Sequence, residues 1–196
     1  NIFVCVSHVP DTTTKVQVGG DGKAIDSAGV TYILNPYDEY AVEAGLQLKE
    51  ARGGEVTIVC VGAEKVKETI RKGLAMGADK GLHIVSEDPR DSFGTARAIA
   101  DALKDRAADV VFCGRQSIDY DGWQMSGLLG EMLGIASVSV AAKLDIAEDG
   151  SFTAERDIEG GSETISSALP AVISAQKGLN EPRYPKLQGI MQAKRK

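Results

Sequence analysis

The residues best suited to chemistry stand together over 113–133, in the stretch CGRQSIDYDGWQMSGLLGEML. An apolar run over 110–113 breaks at Gly114 into a polar loop, and Gly122 opens a segment with apolar residues at helical spacing. A strand, a loop and a helix start present free backbone N–H groups and the positive end of a helix dipole, a combination that attracts an anion. Arg115 would add charge, and Gln116 or Gln124 hydrogen bonds, beside Ser117, Asp119 and Asp121. The same stretch also fits a plain solvated connection. It lacks both G-x-x-x-x-G-K-S/T and G-x-G-x-x-G, so neither common nucleotide loop accounts for it.

A second candidate is Asn35, Pro36, Tyr37 and Asp38, just before a helical pattern. Asp38 reads as the helix cap, and the Asn35 amide is placed to read a base or ribose. No nucleophile, base and orienting acid can be assembled from the sequence. His83 lies inside an apolar run and His8 has no obvious nucleophile, so the chain reads as a binding or carrier protein rather than an enzyme. Two histidines and no close cysteine pair make a metal site unexpected. Arg156 and Asp157, beside Glu155, read as a surface ion pair.

These residues need elements to hold them. Residues 2–6 read as a strand buried on both faces, 56–62, 81–85, 108–113 and 137–140 as further strands, and amphipathic helical patterns separate them at 38–51, 63–77, 91–107 and after 122. Strict alternation predicts an α/β fold, a mostly parallel sheet with helices on both faces. Ligands then bind beyond the carboxyl ends of the strands, so the exits after Cys5, Val61 and Cys113 would share one edge. Residues 15–22 read as a hairpin-like insertion. Residues 143–146, 152–158 and 163–167, with turns at Asp149-Gly150 and Gly160-Gly161, read as a small antiparallel meander at the sheet edge. Residues 169–175 form a last strand, and 179–196 a basic, Pro-punctuated segment with an apolar cluster at Leu187, Ile190 and Met191. The expected division is an α/β domain over 1–178 and a C-terminal segment over 179–196.

The chain has 196 residues, 43% apolar and 26% charged, enough for one substantial core. No apolar run approaches the roughly 20 residues that span a bilayer. The sequence begins directly in a strand, without a signal-peptide pattern. Three cysteines lie in or at the ends of apolar runs, which argues for buried free thiols in a reducing compartment. Net charge is −6, but residues 183–196 carry five positive charges and no negative one, leaving −11 on the rest. The acidic body argues against nucleic acid as a partner, and the basic tail reads as a separate contacting device.

Several stretches together resemble the β subunit of electron transfer flavoprotein: VCVSHVPD, NPYDEYAVEAGLQLKE, IRKGLAMGADKGLHI, GRQSIDYDGWQ, ERDIEGGSETI and LNEPRYPKLQGIMQAK. They run through essentially the whole chain in order. The resemblance implies a Rossmann-like sheet of the adenine-nucleotide α-hydrolase type. It also implies a heterodimer with an α subunit that takes electrons from acyl-CoA and related flavin dehydrogenases and passes them to a membrane quinone oxidoreductase. Its setting would be the cytoplasm of a bacterium or the mitochondrial matrix of a eukaryote. FAD would be held mainly by α at the boundary, while β buries AMP. AMP contacts would then fall at Cys5, Asn35, Pro36, Tyr37, Asp38 and Val61, and along Gly114, Arg115, Gln116, Ser117, Ile118, Asp119, Tyr120, Asp121, Gly122, Trp123, Gln124 and Met125. Leu187 matches the leucine that plugs an apolar pocket on acyl-CoA dehydrogenases, with Ile190 and Met191 beside it. Asp157 falls where an acidic residue faces the mobile flavin domain, and Tyr37 and Thr12 fall near the flavin ring.

The sequence departs from the family pattern at Met125, where a hydroxyl-bearing residue is usual, so Ser126 or backbone N–H groups would have to serve the phosphate. Family members also continue into an arm that embraces α, which this sequence does not include. The nearest rival is a bifurcating β subunit that binds a second FAD in place of AMP. Its loop reads like D-G-D-T-A-Q-V-G-P, whereas this one reads D-Y-D-G-W-Q-M-S-G from Asp119. Tyr120, Trp123 and the missing proline favour AMP. An ATP pyrophosphatase would need S-G-G-x-D-S after the first strand, and a stress-type ATP binder G-x-x-G-x₉-G; neither is present.

Overall fold

In the computed structural model, which describes residues 1–88 and 90–195, one sheet of eight strands organises the chain. Its strands are β1 (Ile2–Cys5), β4 (Val56–Gly62), β5 (Lys80–Val85), β6 (Val110–Gly114), β7 (Ala136–Ile146), β8 (Ser151–Ile158), β9 (Gly161–Ala168) and β10 (Ala171–Ala175). They lie in the order β5-β4-β1-β6-β10-β7-β8-β9. The first six in that order pair in parallel, and β7, β8 and β9 pair antiparallel. The expected α/β architecture with an antiparallel edge is what forms.

Alternation along β1 explains the two-sided core. Ile2 and Val4 pack on one face with Val42, Leu46, Ile58 and Ile70, while Phe3 and Cys5 pack on the other with Ile99, Leu103, Val111 and Leu129. Helices α1 (Pro36–Arg52) and α2 (Lys67–Met76) therefore cover one face, and α3 (Ser92–Leu103) and α4 (Met125–Leu133) the other. A 3₁₀ turn at Glu64–Val66 precedes α2, and a short helix α5 (Leu187–Ala193) packs on α2.

Two expectations are corrected and one is extended. The hairpin-like insertion expected over 15–22 forms and runs on to residue 26, where the Gly19 N–H donates to the Ala24 carbonyl and the Asp26 N–H to the Gln17 carbonyl, both at 2.8 Å. Val18 and Ile25 make an isolated bridge, and the paired strands of that region are β2 (His8–Pro10) and β3 (Tyr32–Leu34). Val9 and Leu34 are buried, whereas Val16 and Val18 face solvent, so burial selected the outer pair. The strand at 137–140 and the one at 143–146 are one strand, β7, bent by a register shift between Ala141 and Lys143 and by a positive φ of 62° at Val140. Its first half pairs with β10 and its second with β8, so it joins the parallel and antiparallel parts. Arg156 pairs not with its chain neighbours but with Glu163 across the meander at 2.6 Å, and Glu155 pairs with Lys143 at 2.7 Å. Consecutive strand residues point to opposite faces, so cross-strand partners win.

Candidate functional site

The strand order reverses at β1, with β4 on one side and β6 on the other. At such a switch point the loops diverge and leave a crevice. Here it is a cleft of about 310 Å³, within the range of roughly 300–1,000 Å³ usual for small-molecule sites. Cys5, Val61 and Cys113 from the three exits line it, as do Asp38 and most of the loop after β6: Gly114, Arg115, Gln116, Ser117, Asp119, Tyr120, Gly122, Trp123, Gln124 and Met125. Asn35, Pro36, Tyr37, Ile118 and Asp121 do not line it. The sequence reading missed Arg90, Asp91, Ser92 and Thr95, which close the side formed by the start of α3. Asp91 caps that helix, accepting from the Gly94 N–H at 2.7 Å, a signal legible in its position before an apolar-periodic run.

Asp38 is not the cap of α1. Asn35 holds that position, Pro36 opens the helix, and Asp38 lies in its first turn with its side chain buried. Its carboxylate accepts the Ser7 N–H at 2.7 Å and the Gly114 N–H at 3.1 Å, tying the exits of β1 and β6 together under the cleft. Burial pushes this carboxyl up to about 7, against hydrogen bonds that pull it down. Gly114 is required by the same approach. A Cβ there would overlap Asp38 Oδ1 and come within 2.7 Å of the Tyr37 carbonyl carbon.

Asn35 is fully buried, and its amide is engaged by the loop after β6. Nδ2 donates to the Gln116 carbonyl at 2.8 Å and Oδ1 accepts the Ile118 N–H at 3.2 Å, so it shapes the loop. Asp121 does the same from within the loop, accepting from Gln116 Nε2 and, at 3.0 Å, from Trp123 Nε1. The Arg115 guanidinium lies between the rings of Tyr37 and Trp123, 4.4 Å from each centroid, and donates to the Tyr37 hydroxyl at 2.8 Å.

Two groups in this wall are left wanting. Arg115 Nε and Gln116 Oε1 are buried without a hydrogen-bond partner among the described residues, one a charged donor and the other an acceptor. The first turn of α4 has no side-chain cap. Ser126, beside Met125, is buried and does not line the cleft, and its Oγ lies 3.1 Å from Ser139 Oγ. An anion would therefore meet backbone N–H groups and Arg115, while Cys5, Val61 and Cys113 offer an apolar wall. The cleft thus sets an anion-attracting end beside an apolar wall. The cysteines are not activated nucleophiles. Burial pushes all three thiols up, Cys60 to about 12. His8 stacks on Tyr32 and lies 2.8 Å from the Thr69 hydroxyl, with burial holding its pKa below the ordinary value. His83 Nε2 donates to the Gly62 carbonyl at 2.8 Å. Among the described residues no group of His, Cys, Asp or Glu could hold a metal ion, and no helix is long and apolar enough to cross a membrane.

The expected docking residues lie elsewhere. Leu187, Ile190 and Met191 sit on α5 beside α2, which covers β4 and β5, and Leu187 is 75% exposed. Asp157 is exposed on β8, near the opposite end of the sheet order. The structure does not bring these two sets together. Nor is Arg183 a free tail charge: it pairs with Glu43 and Glu50 on α1.

Over residues 23–196 the chain matches the electron transfer flavoprotein domain. It is 41% identical to the electron transfer flavoprotein subunit beta of Bacillus subtilis, an alignment that takes in all of this chain and 76% of that protein. The protein of the same name from Syntrophomonas wolfei is 40% identical over all of this chain and 77% of its own length, and that from Dictyostelium discoideum 37% identical over 99% and 78%. Similarity of that depth along the whole sequence leaves one conclusion: the chain belongs to the electron transfer flavoprotein family, among its β subunits.

Proposed function

We propose that this chain pairs with an electron transfer flavoprotein α subunit, buries AMP in the cleft at the β1 switch point, and helps enclose an FAD held mainly by α. FAD, when bound, supplies the redox chemistry; this chain contributes wall and docking surface. The observation that carries the AMP reading is the convergence of three strand exits, an uncapped helix start and Arg115 on one cleft. The Arg115 guanidinium and the first N–H groups of α4 would take the phosphate, and Gln116 would hydrogen-bond the nucleoside. AMP is redox-inert, so its role would be to complete the fold beneath the dimer interface. Tyr120 and Trp123 line the cleft where the second-FAD loop carries glycine and alanine, which supports a mononucleotide over a second flavin.

On the other side of the molecule, Leu187 and its apolar neighbours, rimmed by Lys186, Lys194 and Arg195, would dock acyl-CoA and related flavin dehydrogenases, whose electrons then pass to a quinone oxidoreductase. Mass spectrometry of nucleotides released by denaturing the purified heterodimer tests the cofactor reading. One FAD and one AMP per heterodimer are expected. Two flavins and no AMP would overturn the AMP reading in favour of the bifurcating type.

A further inference from the structure

The segment after β10 combines two features that rarely occur together. Its side chains Tyr184, Leu187 and Met191 are 92%, 75% and 59% exposed, yet its backbone is pinned to the body at several points. Asn180 Nδ2 donates to the Tyr40 carbonyl at 2.9 Å. Gly189 lies so close to α2 that a Cβ would overlap the Ala75 carbonyl oxygen, and Ala193 is buried in the core. Helix α5 has only seven residues and no side-chain cap at its start, too little to hold its shape unaided.

The tightest of these attachments is Arg183. Its Nε and Nη2 donate to Glu43 at 2.8 and 2.9 Å, and its Nη1 and Nη2 to Glu50 at 2.5 and 3.0 Å. Its backbone N–H also donates to Glu43, at 3.2 Å. Glu43 is only 3% exposed, and Gln47 Nε2 donates to it as well at 2.9 Å. Two carboxylates about two helical turns apart along α1 are thus bridged by one planar fork. A lysine, with a point charge, could not satisfy both.

We infer that Arg183 is a positioning residue: by gripping Glu43 and Glu50 it holds the segment that carries Leu187 in the shape a partner meets. Among the described residues it is the one tail cation turned inward, while Lys186, Lys194 and Arg195 are exposed near the apolar cluster. A partner then binds a formed surface rather than ordering a loose one. The inference rests on the reading that Leu187 docks a flavin dehydrogenase.

The test uses the heterodimer as electron acceptor for an acyl-CoA dehydrogenase, with Leu187→Ala as the reference for docking. Arg183→Gln is expected to raise KM about tenfold with kcat retained, a change of about 1.4 kcal/mol. It should also speed hydrogen exchange at residues 184–193 and leave nucleotide content unchanged. Arg183→Lys, which keeps the charge and loses the fork, should behave in the same direction. Should Arg183→Gln fail to fold, Glu50→Gln opens only the exposed half of the clasp and should give a smaller rise in KM with faster exchange. An unchanged KM in the Arg183 variants, while Leu187→Ala raises it, would overturn the positioning role. If Leu187→Ala has no effect, the docking reading falls on its own, and exchange at 184–193 then judges the clasp: unaltered rates overturn it.

Discussion

The cleft and the C-terminal platform solve opposite problems of construction. Residues from Cys5 to Met125, on three strands and the starts of three helices, meet in the cleft, and buried polar links at Asp38 and Asn35 hold them. The platform is one contiguous stretch laid on α1 and α2, held by the Arg183 fork, the Asn180 hydrogen bond, the close approach of Gly189 and buried Ala193, with Leu187 and Met191 outward. Damage to the cleft should therefore spread through the core, while damage to the platform should stay local.

That contrast can be broken by substitution. The largest loss is expected from Gly114→Ala, whose methyl would overlap Asp38 and press on the first turn of α1. About 3 kcal/mol of stability should go, together with the bound nucleotide, as read by thermal unfolding and nucleotide content. Gly189→Ala meets a comparable obstacle at Ala75 but can relieve it by lifting α5. It should cost about 1 kcal/mol, raise exchange at 187–193 and leave the nucleotide in place. A fall in stability as large as that of Gly114→Ala would show that the platform is part of the core.

Asp38→Asn sharpens the comparison through pH. The buried carboxyl titrates near 7 when folded against about 3.8 when unfolded, so between those values the native state holds a proton that the unfolded chain has released. This group's contribution to stability is full at low pH and is lost as pH rises towards 7. The asparagine cannot titrate and turns a donor towards one of the two N–H groups, at a cost of about 1 kcal/mol or more. The variant should thus lag its parent most near pH 5 and least near pH 8 in urea unfolding; a pH-independent difference would show that Asp38 stays ionised when folded. Leu187→Ala should change stability least, by less than about 0.5 kcal/mol, and cofactor content not at all. It should nevertheless weaken electron transfer from dehydrogenases; equal rates would remove the anchor role.

Much of the parallel half was legible in advance because buried strands are continuously apolar and end on glycine or polar residues at the ligand edge. The convergence of Cys5, Val61 and Gly114 followed from that rule alone. What stayed hidden depends on partners distant in sequence. An aspartate at a helix start looks the same whether it caps the helix or, as Asp38 does, accepts from residues 31 and 76 positions away. Asn35 likewise has the chemistry to read a base, and spends it on the loop instead. The continuity of β7 was obscured because its neighbour on one side, β10, comes later in the chain than both β8 and β9. Counting charges found the basic tail but not that Arg183 turns inward, since composition does not say where Glu43 and Glu50 will point.

The stack of Tyr37, Arg115 and Trp123 has one further consequence. Trp123 is the sole tryptophan of the chain, and its indole sits at the mouth of the cleft, against a cation and within hydrogen-bond reach of Asp121. Its emission colour and brightness depend on those two neighbours. Filling or emptying the cleft should therefore be visible by ultraviolet fluorescence of this subunit, without a label.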